Sequence, residues 1–445
     1  MLSGSVEESS ESRQPLVQPA SSSAVGPRVG MEQPAISKRA NSGNTNMNRT
    51  ITRTSFSLQR AKTSLLTPAK SIGPAPSFLQ SMKSIIMASW LNLLLVCIPV
   101  SWALNFAMKD QHTLVFVFSF LAIIPLAKLL AFATDELSIR VGQTLAGLLN
   151  ATLGNAVELI VAIIALVQCK LHIVQSSLIG SILSNLLLVL GMCFFAGGLR
   201  FQEQGFGAVA TQLNSSLLTL SVIAVLLPAA FHMNVTTSTD SDEGQDILKV
   251  SHGVALVLLF IYASYLFFQL YSHATLYTDD GVQPSTPYPK RKPEEANVEN
   301  ETGVDLERNK EVEDEEIPQM SVSTTIALLI IVTVLVAVTA EWLVDSIDGL
   351  TSSGAISEEF VGIILLPIVG NAAEHVTAVT VSVKDKLTLS LGVAVGSSIQ
   401  IALFVIPFII TLGWILGKPL TLLFDPYESI TLFLAGMHVI YDKGN

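Results

Sequence analysis

Long apolar runs recur along this chain after about residue 80, and they constrain its fold more than any other feature. Several of them exceed the ~20 residues with which an α-helix crosses a hydrocarbon core. Only 14% of the residues are charged, whereas soluble domains have about 25%. The pattern therefore predicts an all-α polytopic membrane protein whose surroundings are the lipid bilayer.

Ten apolar segments are interpreted as spans, six before a charged loop and four after it. They cover residues 84–108, 113–133, 141–168, 174–199, 207–232, 250–272, 322–345, 358–383, 387–415 and 426–440. We divide the chain into a disordered cytosolic N-terminal tail, a leading transmembrane helix, a first half of five spans, an acidic cytosolic loop and a second half of four spans. The corresponding ranges are 1–83, 84–108, 109–272, 273–320 and 321–445.

One short motif occurs twice in this apolar chain. The stretch GNAVE at Gly154–Glu158 returns as GNAAE at Gly370–Glu374. An ungapped alignment of the two copies gives ten identities over 28 positions, and it ends in a shared Gly-Ser pair. Five crossings separate the copies, and an odd number reverses direction through the membrane. The halves are thus predicted to form an inverted-topology repeat, in which secondary transporters place their site at the midplane.

Both repeated glutamates are predicted to lie near the middle of the membrane. Glu158 and Glu374 each stand nine residues before the last valine of their span, which is about 13 Å along a helix. Asn155 and Asn371 share a helix face with these carboxylates, because they precede them by three residues. Carboxylate and amide oxygens suit hard divalent cations, and Ca²⁺ takes about 6–8 oxygen ligands. The predicted metal ligands are therefore Glu158 and Glu374, with Ca²⁺ as the cation.

The same carboxylates predict coupling to protons. Two anionic glutamates in a dry site repel each other, so the pair is expected to hold either a divalent cation or protons. Further residues near the motifs are possible supporting groups: Gly154, Gly370, Ser181, Ser184, Asn185, Ser397, Gln400 and His375. Helix packing through small residues is an equally good explanation of the Gly-Ser pairs. For His375, the alternative to a role in the site is a hydrogen bond to a neighbouring helix.

Charge asymmetry orients the chain. The N-terminal tail has ten Lys/Arg and four Asp/Glu, which predicts a cytosolic N-terminus by the positive-inside rule.

Three acidic residues near span ends, Glu136, Glu341 and Asp345, are candidates for vestibule charges. The alternative is that they are simply solvated at the interface.

Four stretches around the repeats resemble the signature regions of a known family. They read GLLNATLGNAVELIVAIIAL, GSILSNLLLVLG, LLPIVGNAAEHVTAV and GSSIQIALFV. They are similar to those of the cation/proton exchangers of the calcium/cation antiporter superfamily, and most of all to fungal vacuolar calcium/proton exchangers. The resemblance covers residues 84–425. It implies an antiporter of the vacuolar membrane that uses the proton gradient to move Ca²⁺ from cytosol to lumen.

The resemblance also implies roles for residues of this chain. It makes Glu158 and Glu374 the cation ligands, places Asn155 and Asn371 beside them, and matches the acidic segment 294–316 to a family feature. The family ordinarily has eleven spans, so the second half is expected to be truncated at its C-terminus.

Two alternatives stay open at this point. One is a broader divalent cation/proton exchanger for Mn²⁺ or Zn²⁺, and the other is a truncated, non-transporting membrane regulator. We expect no enzyme and no resident cofactor, because the chain has no nucleotide-binding glycine loop or catalytic-triad pattern. No nucleic-acid partner is expected, and the sequence leaves the oligomeric state open.

Overall fold

The computed structural model describes residues 68, 72–108, 110–235, 243–273, 285–288, 317–352, 354 and 356–441. Within these ranges, seven helices are long and apolar enough to cross a membrane. Two bent helix pairs raise the number to nine if each pair counts as one span. The prediction of an all-α polytopic membrane protein is confirmed.

The described residues before the charged loop form eight helices and one strand. They are α1 (Phe78–Met87), α2 (Trp90–Ala107), α3 (His112–Ser138), α4 (Gln143–Leu153), α5 (Ala156–Val167), α6 (Leu171–Gly198), β1 (Phe201–Glu203), α7 (Ala208–Val235) and α8 (Gly244–Ser272).

The leading span differs from its prediction. A capping box between Ser77 and Gln80 starts α1 inside the predicted disordered tail, because each side chain accepts a hydrogen bond from the other residue's backbone amide. The helix then stops at Ala88, and Ser89 caps a new helical segment that begins with 3₁₀ turns. The candidate leading span is Trp90–Ala107, which begins six residues after the start of the predicted range 84–108.

The described residues of the charged loop and the second half form five helices and one strand. They are β2 (Thr286–Pro287), α9 (Val322–Thr351), α10 (Glu358–Gly370), α11 (Ala372–Val383), α12 (Leu387–Ile415) and α13 (Pro426–Tyr441). Strand β2 pairs antiparallel with β1, so a short piece of the charged loop is fixed beside the end of α6. The acidic segment 294–316 lies outside the described residues.

The two copies of the repeat share their local backbone structure. Cys169 and Asp385, each fifteen residues after the first glycine of its copy, adopt left-handed φ values of 60° and 64°. The next amide bonds to the carbonyl five residues earlier, at 2.9 and 3.0 Å, and this closes the ends of α5 and α11. Helices α6 and α12 also contain π-helical turns at matching places, Ser184–Val189 and Ile401–Val405. These shared features support the predicted duplication.

Close packing of α6 against α10 joins the two halves. A Cβ on Gly180 would lie 2.7 Å from both Ile363 Cα and Pro367 Cγ, which is too close for any side chain. In the same way, a Cβ on Gly362 would lie 2.6 Å from Ser176 Cβ. Small residues therefore let these two helices approach each other. For Gly180, this agrees with helix packing as the explanation of the Gly-Ser pair.

A buried ion pair ties the end of α3 to the start of α9. The Glu136 side chain is 3% exposed, and its carboxylate accepts hydrogen bonds from the backbone amides of Gln319 and Met320 at 3.1–3.2 Å. Arg140 pairs with this carboxylate at 3.3 Å and also donates to the Met320 carbonyl. The expectation that Glu136 is a vestibule charge is therefore wrong, because its oxygens hold the backbone that leads into α9.

Candidate cation site

Both repeated motifs interrupt a helix. Helices α4 and α5 meet at Gly154-Asn155 with their axes bent by 43°, and α10 and α11 meet at Asn371 with a bend of 60°. The backbone leaves helical geometry at the two motif asparagines, Asn155 and Asn371. Broken helices bring polar backbone groups to a buried position, and in transporters such half-helix ends bind the substrate.

Each motif glutamate reaches across to the glycine of the other copy. Glu158 and Glu374 stand in the first turns of α5 and α11, where the helix dipole favours a negative charge. A Cβ on Gly370 would lie 2.9 Å from Glu158 Oε1, and a Cβ on Gly154 would lie 3.9 Å from Glu374 Oε1. The inverted copies therefore face each other, and the two carboxylates belong to one site.

Four oxygen atoms of predicted site residues are buried without a hydrogen-bond partner among the described residues. They are Glu158 Oε2, Glu374 Oε2, Asn371 Oδ1 and Asn185 Oδ1. Buried acceptors in folded proteins are nearly always paired, so a group of unpaired ones needs an explanation. Such oxygens are the ligand type that Ca²⁺ prefers. The described chain has no group of three or more His, Cys, Asp or Glu arranged for a metal. Amide and carbonyl oxygens would therefore have to complete the coordination.

The Asn155 side chain is the centre of a polar network between three helices. Its Oδ1 accepts a hydrogen bond from Ser397 Oγ at 2.8 Å, and its Nδ2 donates to Gln400 Oε1 at 2.7 Å. Asn185 Nδ2 extends the network by donating to Ser397 Oγ at 3.3 Å. Residues predicted from the sequence as supporting groups thus position the first motif, and the site is cross-linked between α6 and α12.

The second asparagine has a different environment. Asn371 Nδ2 donates to the Pro367 carbonyl of its own helix at 3.0 Å, which leaves its buried Oδ1 without a partner. His375 is buried and lies 3.4 Å from Ser184 Oγ through Nε2, so it bonds a neighbouring helix as the alternative explanation proposed. Ser181 is buried as well, but no described hydrogen bond joins it to the other predicted residues.

A half-open cleft of about 220 Å³ reaches Glu374 from the end of α3. Its lining includes Gly154, Lys128, Asp135 and Thr377. The last three are residues that the sequence reasoning missed. The sequence did contain a signal for Lys128, which is an ionisable residue inside an apolar run. Such residues mark ion pathways in membrane proteins.

The other predicted vestibule acids lie away from this site. Glu341 and Asp345 are both exposed on α9. Asp345 accepts a hydrogen bond from Gln168 at 2.6 Å and lines a separate cavity of about 330 Å³ with Trp342. Neither residue lines the cleft that leads to Glu374.

Inverted repeats with broken helices are typical of secondary transporters. The chain belongs to the sodium/calcium exchanger protein family, which matches residues 111–271 and 324–443. It is 54% identical over 443 aligned residues to a vacuolar calcium ion transporter of Cryptococcus neoformans var. grubii, with 85% of this chain and 73% of that protein covered.

Two further comparisons agree with this assignment. A vacuolar calcium ion transporter of Schizosaccharomyces pombe is 44% identical over 360 residues, which cover 81% of this chain and 80% of that protein. The crystal structure of the Ca²⁺/H⁺ antiporter protein YfkE superposes with a TM-score of 0.61 at 29% identity. That superposition covers 79% of this chain and 90% of the YfkE chain.

Proposed function

We propose that this chain is a secondary active antiporter that exchanges cytosolic Ca²⁺ for lumenal H⁺ across the vacuolar membrane. Two relatives are named vacuolar calcium ion transporters, and a structural neighbour is named a Ca²⁺/H⁺ antiporter. The basic N-terminal tail favours a multi-pass arrangement with the N-terminus in the cytosol. With this orientation, the cleft at the end of α3 opens to the cytosol.

The observation that carries the proposal is the crossed contact of the two motifs. Glu158 lies against Gly370 and Glu374 lies against Gly154, with one oxygen of each carboxylate buried and unpaired. Two uncompensated negative charges in a buried site are unfavourable, because burial removes their hydration. A bound dication relieves this penalty, and so does protonation.

The geometry supports an alternating exchange at one site. The ionised pair has a charge of −2, which one Ca²⁺ or two protons neutralise. Asn371 Oδ1 and Asn185 Oδ1 are further acceptors that Ca²⁺ would use and that protons would not need. The network around Asn155 holds α6 and α12 against the first motif in either state. Cation and proton therefore compete for the same carboxylates, and this competition couples their movements.

Uptake of Ca²⁺ into acid-loaded vesicles tests the proposal. The full chain is reconstituted, and uptake is measured for the wild type, Glu158→Gln and Glu374→Gln. A motif carboxylate and the bound Ca²⁺ form a buried pair of opposite charges. Breaking such a pair costs about 3–5 kcal/mol, so apparent Ca²⁺ affinity should fall by about a hundredfold or more. Glu341→Gln is the matched control, because this glutamate is exposed on α9 and should leave uptake unchanged.

The outcomes separate the alternatives. Uptake that survives both motif substitutions would contradict the site assignment. A folded wild-type chain that transports no cation under an acid load would favour the non-transporting regulator. A broader divalent exchanger is the second transport function, because hard oxygen ligands also accept Mn²⁺ and His375 is buried next to Glu374. Competition by Mn²⁺ and Zn²⁺ at fixed Ca²⁺ distinguishes it.

A further inference from the structure

An ammonium group lies beside the candidate cation site. Lys128 stands ten residues before the end of α3, about 15 Å along the helix, which places it deep in the membrane. It is neither fully buried nor exposed to the outside of the bundle, because it lines the half-open cleft that also contains Glu374. A charged residue at this depth is unfavourable unless it faces a partner or a polar cavity.

The described contacts fix where the ammonium points. Lys128 Nζ donates to Thr377 Oγ1 at 3.4 Å. Thr377 follows Glu374 by three residues on α11, so the two side chains share a helix face. The Thr377 hydroxyl itself donates to the Ala373 carbonyl at 2.9 Å and is held in place by this bond. The positive charge is therefore anchored one helical turn from a cation-binding carboxylate.

No ion pair neutralises this ammonium among the described residues. Asp135 lies two turns along α3 on the same face and lines the same cleft, within electrostatic range of Lys128. Asp135 stands three residues before the end of α3 and Lys128 ten, and Lys128 contacts Thr377, one helical turn from Glu374. A cation that follows the cleft passes the lysine before it reaches the glutamate pair.

We propose that Lys128 sets the apparent affinity for Ca²⁺, as an internal positive charge that a divalent cation must displace from the cleft to reach Glu374. The inference rests on the proposed function of that site. At any given distance the ammonium repels a dication with twice the energy that it applies to a monovalent ion. It therefore lowers the apparent affinity for Ca²⁺ and favours release of the bound ion. Asp135 is the carboxylate toward which the ammonium moves when the cation occupies the site.

The experiment compares Ca²⁺ dependence of uptake in vesicles containing the full chain, for wild type, Lys128→Gln, Lys128→Met and Lys128→Arg. Both neutral variants should lower KM for Ca²⁺ by about tenfold, which corresponds to about 1.4 kcal/mol. The maximal rate should stay the same or decrease, because tighter binding does not speed release of the ion. Lys128→Arg retains the charge and should keep a KM close to that of the wild type.

A second pair of variants separates a direct effect from one through Asp135. If Lys128 acts on the cation, Lys128→Gln lowers KM also in an Asp135→Asn background. If it merely balances Asp135, the change in KM disappears in that background, and the proposal is overturned. An unchanged or raised KM in both neutral variants overturns it as well. A wild-type chain without Ca²⁺ uptake refutes the proposed function itself, whereas a transporting wild type with unchanged lysine variants refutes only this inference.

Discussion

The Gly370→Ala substitution is a direct test of the crossed arrangement of the motifs. A Cβ at this position would lie 2.9 Å from Glu158 Oε1, 3.2 Å from Cδ and 3.3 Å from Cγ. Ordinary contacts of a methyl group with such atoms are 3.4–4 Å, so the whole carboxylate end must move by several tenths of an ångström. The substitution removes neither carboxylate. It therefore tests geometry and not charge.

The expected effect is moderate. Overpacking a filled site costs about 1–3 kcal/mol, and a flexible glutamate side chain absorbs part of this strain. We expect cation binding to weaken by an energy in the lower half of this range, because the Glu158 carboxylate is displaced from its position in the site. An effect of about 1.4 kcal/mol raises KM for Ca²⁺ about tenfold. The maximal rate should change less than KM.

The assay is the initial rate of Ca²⁺ uptake into acid-loaded vesicles as a function of Ca²⁺ concentration. Gly396→Ala is the matched control, because a Cβ on this glycine of α12 meets nothing within 4 Å. The control should bind Ca²⁺ like the wild type. Equal KM values for Gly370→Ala and the wild type, or an equal increase in the control, would refute the crossed geometry.

Two further predictions concern stability. Gly180→Ala should destabilise the full chain by about 1–3 kcal/mol, because its Cβ would collide with Ile363 and Pro367 of α10. Thermal unfolding in detergent measures this change. An unchanged transition temperature would contradict the close contact between the helices. Glu136→Gln should cost about 3–5 kcal/mol, because Arg140 loses its buried partner, whereas Asp246→Asn in an exposed pair should change stability by less than about 1 kcal/mol. An equal loss of stability in Glu136→Gln and Asp246→Asn would show that burial of the Glu136–Arg140 pair does not contribute.

The sequence predicted most of the fold because its signals are long and local. Apolar runs mark spans by length alone, and the matched GNA-x-E motifs revealed the duplication. The break before the leading span was not predicted, because Ser89 caps a new segment inside an uninterrupted apolar run. The tie between Glu136 and the chain before α9 was missed too. Its partners are 183 and 184 residues away in sequence, and a charge near a span end carries no sign of what it contacts.

The candidate site was only partly accessible from the sequence. Repetition identified Glu158 and Glu374, and the two carboxylates lie against each other's glycines in the structure. The cleft residues Lys128, Asp135 and Thr377 come from different helices, so no spacing in the chain connects them. Lys128 could have been noticed as a charge in an apolar run, but its proximity to Thr377 depends on how α3 packs against α11.

Differences between the copies explain why equivalent asparagines have different contacts. Gln400 aligns with Ser184, and the longer side chain of Gln400 reaches Asn155 Nδ2 at 2.7 Å. Ser184 is too short to do the same for Asn371, and its hydroxyl lies instead 3.4 Å from His375. The Asn371 amide therefore turns to the carbonyl of Pro367 in its own helix, and its oxygen stays unpaired. Divergence outside the motif thus makes one asparagine a structural link between helices and leaves the other available as a ligand.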